Sequence, residues 1–148
     1  MDAIEQLVKD HVDAKNAMDV IAQSWGDKKL ELFKALKKDL EIHNGLEEDL
    51  FFPAVRQKPS ASALGAQDQQ AHAAVEQALD RLSQLMIDDP DWIPTFNAMR
   101  EQLLKHVGDE ESVYFQKVRE ALTSEELHGL GRRMAAERDR LMSAAKGA

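Results

Sequence analysis

Four of the five histidines in this chain, His11, His43, His72 and His106, each interrupt an otherwise apolar helical seam. Two are followed four residues later by glutamate, as His43-x-x-x-Glu47 and His106-x-x-x-Glu110. Residues four apart share a helix face, so each pair forms a clip of one imidazole and one carboxylate. His11 and His72 add one imidazole each. Four imidazoles and two carboxylates offer too few oxygens for a Ca²⁺ or Mg²⁺ cage and suit Fe, Mn or Zn. Two carboxylates from different helices can bridge two such ions, with the imidazoles as terminal ligands. Without a cation, carboxylates buried among Leu and Met are costly unless protonated or hydrated. The chain has no Cys, which excludes disulfides, thiolate zinc sites, iron–sulfur clusters and cysteine nucleophiles.

The elements that must position these residues are helices. Aromatics make up only 5% of the 148 residues, and seven Gly and four Pro leave long runs of strong helix formers. That length suits one all-α domain with a real core. Apolar periodicity predicts a first helix from an Asp2 cap to about Trp25, with Gly26 just past its end. A second runs from an Asp27 cap to about Val55, where Pro53 ends or bends it. Gln57 to Ala66 reads as a loop. A third helix covers about Gln67 to Ile87, and a fourth runs from an Asp91 cap to about Leu122. Thr123 to Glu126 is a capping box that opens a short fifth helix.

The first four helices carry seams with alternating steps of three and four. They read Ile4, Leu7, His11, Ala14, Met18, Ile21, Trp25; then Phe33, Leu36, Leu40, His43, Glu47, Leu50, Ala54. The third and fourth read Asp68, His72, Val75, Leu79, Leu82, Met86 and Trp92, Phe96, Met99, Leu103, His106, Glu110, Val113. Short connections make successive helices antiparallel. His11 lies 15 residues before Gly26 and His43 lies 17 after it. At the helical rise these are about 22 and 25 Å from the turn, a mismatch below one helical turn. His72 and His106 lie 18 before and 16 after Pro90. All four helices therefore place His or Glu in one slab of the core. The expected architecture is an antiparallel up-down four-helix bundle over residues 1–122. Residues 123–148 form an amphipathic helix packed on the bundle or at a homodimer contact.

The remaining features exclude other classes. A formal charge of −8 repels phosphate backbones and anionic lipid heads, so neither nucleic acid nor membrane is an expected partner. No signal-peptide pattern is present, and the expected location is cytoplasmic. A ferritin-like di-iron site needs two ExxH motifs, and Glu125-x-x-His128 is the only one. His128 reads as a surface residue, Tyr114, one turn past Glu110, as packing at the bundle end or else lining the site, and Met18, Met86 and Met99 as core.

The order His, HxxxE, His, HxxxE over four helices resembles the hemerythrin-like HHE cation-binding domains. The matching stretches are Lys9-Asp-His11, His43 to Pro53, Ala71-His72 and His106 to Glu111, with paired glutamates and aromatics downstream (Phe51-Phe52, Tyr114-Phe115). The resemblance implies a non-haem di-iron centre, oxo- or hydroxo-bridged with bridging carboxylates. By position, its ligands would be His11, His43, His72, His106, Glu47 and Glu110, and it would bind or react with oxygen, peroxide or nitric oxide. The chain departs from the oxygen-carrying hemerythrins in having Glu76 where they carry a fifth histidine, and a four-residue His–Glu spacing on the fourth helix. Both changes favour redox chemistry, such as peroxide decomposition, over simple oxygen carriage. Glu76 is a candidate seventh ligand; Glu48 and Glu111 read as solvated or as partners of the ligands. Two alternatives stay open: an iron- or oxygen-binding or sensing module without turnover, and a mononuclear zinc or other metal-binding protein.

Overall fold

The computed structural model describes residues 1–63 and 66–147, so part of the predicted loop, Leu64 and Gly65, lies outside the described residues. The chain forms α1 (Ala3–Ala22), α2 (Gly26–Leu46), a π-helical turn (Glu47–Phe51), α3 (Phe52–Arg56) and a 3₁₀ turn (Pro59–Ala61). It continues with α4 (Ala66–Gln84), α5 (Trp92–Asp109), a second π turn (Glu110–Tyr114), α6 (Phe115–Ala121) and α7 (Ser124–Gly147). Residues 26–56 and 92–121 are thus two long rods, each interrupted by one π turn. α1 packs on α2 and α5, and α4 on α2 and α5, which closes the expected four-helix bundle.

Two of the predicted caps are present. Asp2 Oδ1 accepts from Glu5 N at 2.8 Å while Glu5 Oε1 accepts from Asp2 N at 3.0 Å. Thr123 and Glu126 make the same reciprocal pair at 3.1 and 3.0 Å. Asp91 does not cap: its backbone is helical (φ −82°, ψ −12°), whereas a cap needs an extended residue, and its own N–H donates to Asp89 Oδ1. Asp27 is likewise inside α2, whose cap position is Trp25. α1 and α4 stop at Ala22 and Gln84, about one turn short of the predicted ends. Trp25 and Met86, read as seam residues, consequently fall in turns and are 80% and 73% exposed. Gly26 has φ +61°, which suits the sharp reversal between α1 and α2.

The core is split. One apolar layer lies toward the α1–α2 and α4–α5 turns and contains Met18, Ile21, Phe33, Leu36, Leu79, Trp92, Phe96 and Met99. The other lies at the opposite end and joins Leu7, Leu46, Phe51, Phe52, Val55, Phe115 and Val118 to Leu127, Leu130 and Met134 of α7. The polar slab separates the two.

The fifth helix, expected to be short, is the longest single helical element described at 24 residues, and it lies along α1 and α2. Its closest approach is at Gly131, whose carbonyl accepts from Gln6 Nε2 at 2.7 Å. A Cβ there would stand 2.7 Å from Met1 O and 2.9 Å from Asp2 C. Alanine normally favours a helix over glycine, but here it must push two backbones apart. Gly131→Ala is expected to cost about 1–3 kcal/mol in urea unfolding, and a stabilised variant would show that α7 does not sit this close to α1.

Candidate metal centre

The six predicted ligands are all buried: Glu47 and Glu110 are 0% and 1% exposed, and the four histidines 8% or less. Their donor atoms form two overlapping groups whose members lie within 4.8 Å of one another, Glu47/His72/His106/Glu110 and His11/His43/Glu110. The imidazoles pair accordingly, with ring centroids 5.0 Å apart for His11 and His43 and 5.1 Å for His72 and His106. Glu110 belongs to both groups, its Oε1 3.2 Å from His11 Nε2 and its Oε2 3.2 Å from His106 Nε2. Glu47 also serves both sides, with Oε1 2.8 Å from His43 Nε2 and 3.2 Å from His72 Nε2.

Each imidazole turns Nε2 inward to these carboxylates and Nδ1 outward to another acid. His11 Nδ1 meets Glu111 at 3.0 Å, His43 meets Asp10 at 2.8 Å, His72 meets Glu48 at 3.3 Å and His106 faces Asp68 at 3.4 Å. An outer carboxylate accepting from Nδ1–H selects the tautomer whose Nε2 lone pair points into the slab. The paired glutamates divide this labour: the first enters the slab, and the second orients a histidine on another helix. Glu48 and Glu111, whose side chains are 41% and 37% exposed, thus contact these histidines from the solvent side. Asp10 and Asp68 were not assigned such a role from sequence; the available signals were that Asp10 precedes His11 and that Asp68 lies on the seam one turn before His72. Glu76 stands outside both groups and takes a 3.5 Å contact from Asn44 Nδ2.

Both carboxylates that enter the slab open a π turn. The Phe52 N–H bonds Glu47 O, and the Phe115 N–H bonds Glu110 O. One residue too many for an α-helical turn shifts everything downstream, so the seam moves from Leu50 and Ala54 to Phe51 and Val55. In the other rod it moves from Val113, which is 52% exposed, to Tyr114. This brings an aromatic wall onto the slab. Phe115 stacks on His11 with planes 4° apart, and Phe52 on His72 with planes 30° apart. His128 is exposed, as expected, and bonds its own helix at Ser124 O.

Nε2 of His11, His72 and His106, both oxygens of Glu47 and Glu110, and the Tyr114 hydroxyl are buried without a hydrogen-bond partner. Native proteins rarely leave such atoms unpaired. Their convergence, as nitrogen and carboxylate donors in one dry slab, fits a bound metal ion. Without one, protons must bind there. Burial would lower His43, but Glu47 and Asp10 outweigh it and lift it to about 10. Burial would raise Glu47, but His43 and His72 hold it well below the usual carboxylate range. Asp68 is pushed up to about 6, by burial first and by Glu110 next. Burial and the nearby carboxylates raise Tyr114.

The family model for the hemerythrin HHE cation-binding domain matches residues 2–118. A crystal structure of a hemerythrin HHE cation-binding domain-containing protein from Mycobacterium kansasii is similar throughout: 28% identity, TM-score 0.87, and coverage of 98% of this chain and 90% of that one. No curated protein matches the sequence.

Two outcomes are expected for metal-free protein. The His43 contribution to stability is fully present below its ordinary value of 6.5 and is lost as pH rises toward about 10. The Glu47 contribution is present above its ordinary value of 4.5 and is lost as pH falls. The thermal midpoint after chelation should therefore be highest between pH 4.5 and 6.5 and decline toward pH 10; a flat alkaline limb would contradict the pairing of His43 with Glu47 and Asp10. Tyr114→Phe removes a buried hydroxyl that has no partner, so the metal-free midpoint should hold or rise. A loss above about 1 kcal/mol would reveal a bond that the hydroxyl makes.

Proposed function

Because this chain belongs to the hemerythrin HHE cation-binding domain family, we propose that its core holds two iron ions that bind or react with oxygen, peroxide or nitric oxide. The observation that carries this reading is the set of unpartnered Nε2 and carboxylate oxygens, divided into two groups that share Glu110. His11 and His43 would hold one ion and His72 and His106 the other, with Glu47 and Glu110 reaching both. Iron bound there would supply one-electron redox chemistry and positions for a small ligand.

The protein's own residues prepare that chemistry. Asp10, Glu48, Asp68 and Glu111 hold the imidazoles as neutral donors with Nε2 inward. Phe52 and Phe115 restrict the rings and exclude bulk water from one side. A half-open cavity of about 230 Å³ between α4 and α5 reaches His106 and Asp68, with room for a diatomic gas or peroxide. Glu76, at the position of the fifth histidine of oxygen carriers, faces Asn44 and leaves a donor set of four nitrogens and two carboxylates. A more anionic, less saturated centre favours redox turnover over reversible carriage. Among the described residues no helix is long and apolar enough to cross a membrane, and the proposed setting is the cytoplasm.

Metal analysis of aerobically purified protein should find two irons per chain, together with ligand-to-iron charge-transfer absorption in the near ultraviolet. A single zinc, with no chromophore after iron loading, would sink the reading. His72→Ala should lose at least one ion of the pair while staying folded, and full retention would contradict the ligand assignment.

A further inference from the structure

Of the four outer acids, Asp10 alone also pairs with a cation among the described residues. Its Oδ2 accepts from His43 Nδ1 at 2.8 Å and from Arg138 Nη2 at 2.7 Å. Among the described residues, Glu48, Asp68 and Glu111 make ion pairs only with their histidines. Arg138 lies on α7, beyond the residues 2–118 that the family model matches, yet one carboxylate oxygen separates it from a ring that enters the slab. Its position is set by two rungs between α1 and α7. Gln6 Nε2 bonds Gly131 O at 2.7 Å, and Asp10 bonds Arg138 one α1 turn and two α7 turns later. The absence of a Cβ at Gly131 lets the helices come this close, so Arg138 meets Asp10 without searching. The pair lies on the wall of a cavity of about 540 Å³ between α1, α2 and α7, with the Arg138 side chain 29% and the Asp10 side chain 17% exposed.

A carboxylate that orients a histidine can itself rotate and be hydrated. A guanidinium on the same oxygen removes that freedom and draws off part of its negative charge. We propose that Arg138 is a positioning residue of the metal centre: through Asp10 it fixes the His43 ring, and it adds to the difference between the His11/His43 group, which has three donor residues, and the His72/His106 group, which has four. The inference rests on the two-metal reading of the core. It gives α7 a role in the chemistry as well as in covering the bundle. It also predicts that losing Arg138 weakens the hold on one ion and not the other, because only one set of imidazoles carries this second support.

The test uses Co²⁺ as the probe, since its visible bands report coordination and both binding and chelator-driven loss can be followed. Wild-type protein should take up two Co²⁺ and release them in two phases. In Arg138→Gln one phase should quicken about tenfold, the cost typical of a lost outer partner, with a changed band for that ion, while the other phase is unmoved. Arg138→Lys, which restores the charge but not the fork, should recover part of the loss and guards against a variant that fails to fold. Both phases unchanged, with only a lower thermal midpoint for the metal-free variant, would show that the ion pair merely braces α7 and would overturn the inference. Equal quickening of both phases would overturn it as well, as general loosening. Wild-type protein that binds no Co²⁺ and no iron would remove the two-metal reading and this inference together. Two bound ions with an unaffected variant would remove the inference alone.

Discussion

Two carboxylates, Glu47 and Glu110, sit in the middle of a helical bundle with almost no contact with water. That is the constraint on which the rest depends. A buried charge without a partner is among the costliest things a fold can contain, and removing one member of a buried pair costs several kcal/mol. The partners available are protons on four imidazoles or a metal ion between them. With His43 raised and Glu47 lowered from their ordinary values, these two groups form an imidazolium–carboxylate pair in the metal-free site. A metal ion entering it displaces protons, so binding is coupled to pH and releases protons as it proceeds.

The architecture around the slab follows from meeting this constraint from all sides. The apolar core is divided into one layer near the α1–α2 and α4–α5 turns and one near α7, each large enough to hold its end of the bundle. Between them, every imidazole lies between two acids, its Nε2 near Glu47 or Glu110 and its Nδ1 facing Asp10, Glu48, Asp68 or Glu111. The arrangement is crosswise: Glu111 reaches from the rod of residues 92–121 to α1, Glu48 from the rod of residues 26–56 to α4, and Asp10 from α1 to α2. Six carboxylates around four histidines give the pocket an acid-rich lining, which suits a cation better than an anion. The two π turns belong to the same design, because each begins at the glutamate that must enter the slab and then swings aromatic residues onto the histidines.

How far the site was legible varies with the range of the signal. That His11, His43, Glu47, His72, His106 and Glu110 share one buried slab was readable because each interrupts an apolar seam, and helical rise converts residue counts into depth. The caps at Asp2 and Thr123 were readable because both partners lie three residues apart. Asp91 has the right residue type but the wrong backbone, and residue type alone does not reveal backbone conformation. Leu50, Ala54 and Val113 were assigned to the seam by continuing a regular period through positions where the helix takes in one extra residue. Trp25 and Met86 extended the same regularity past ends that turn geometry, not hydrophobicity, determines. Arg138 gave no local sign at all, since its partner Asp10 is 128 residues away.

By itself, then, the sequence determined the all-helical class, the four seams, the common depth of the histidines and the two His–Glu clips. Each of these depends on spacings within one helix or across a short turn, and the period of the α-helix converts them into positions. Only the tertiary structure decided which atom of each histidine faces inward, which acid orients it, and that the carboxylates reach both groups. It alone placed the π turns and laid α7 against α1 with Arg138 on Asp10. These depend on contacts between distant segments, where ångström-scale distances and the balance of buried charges choose among many arrangements that the same local pattern permits.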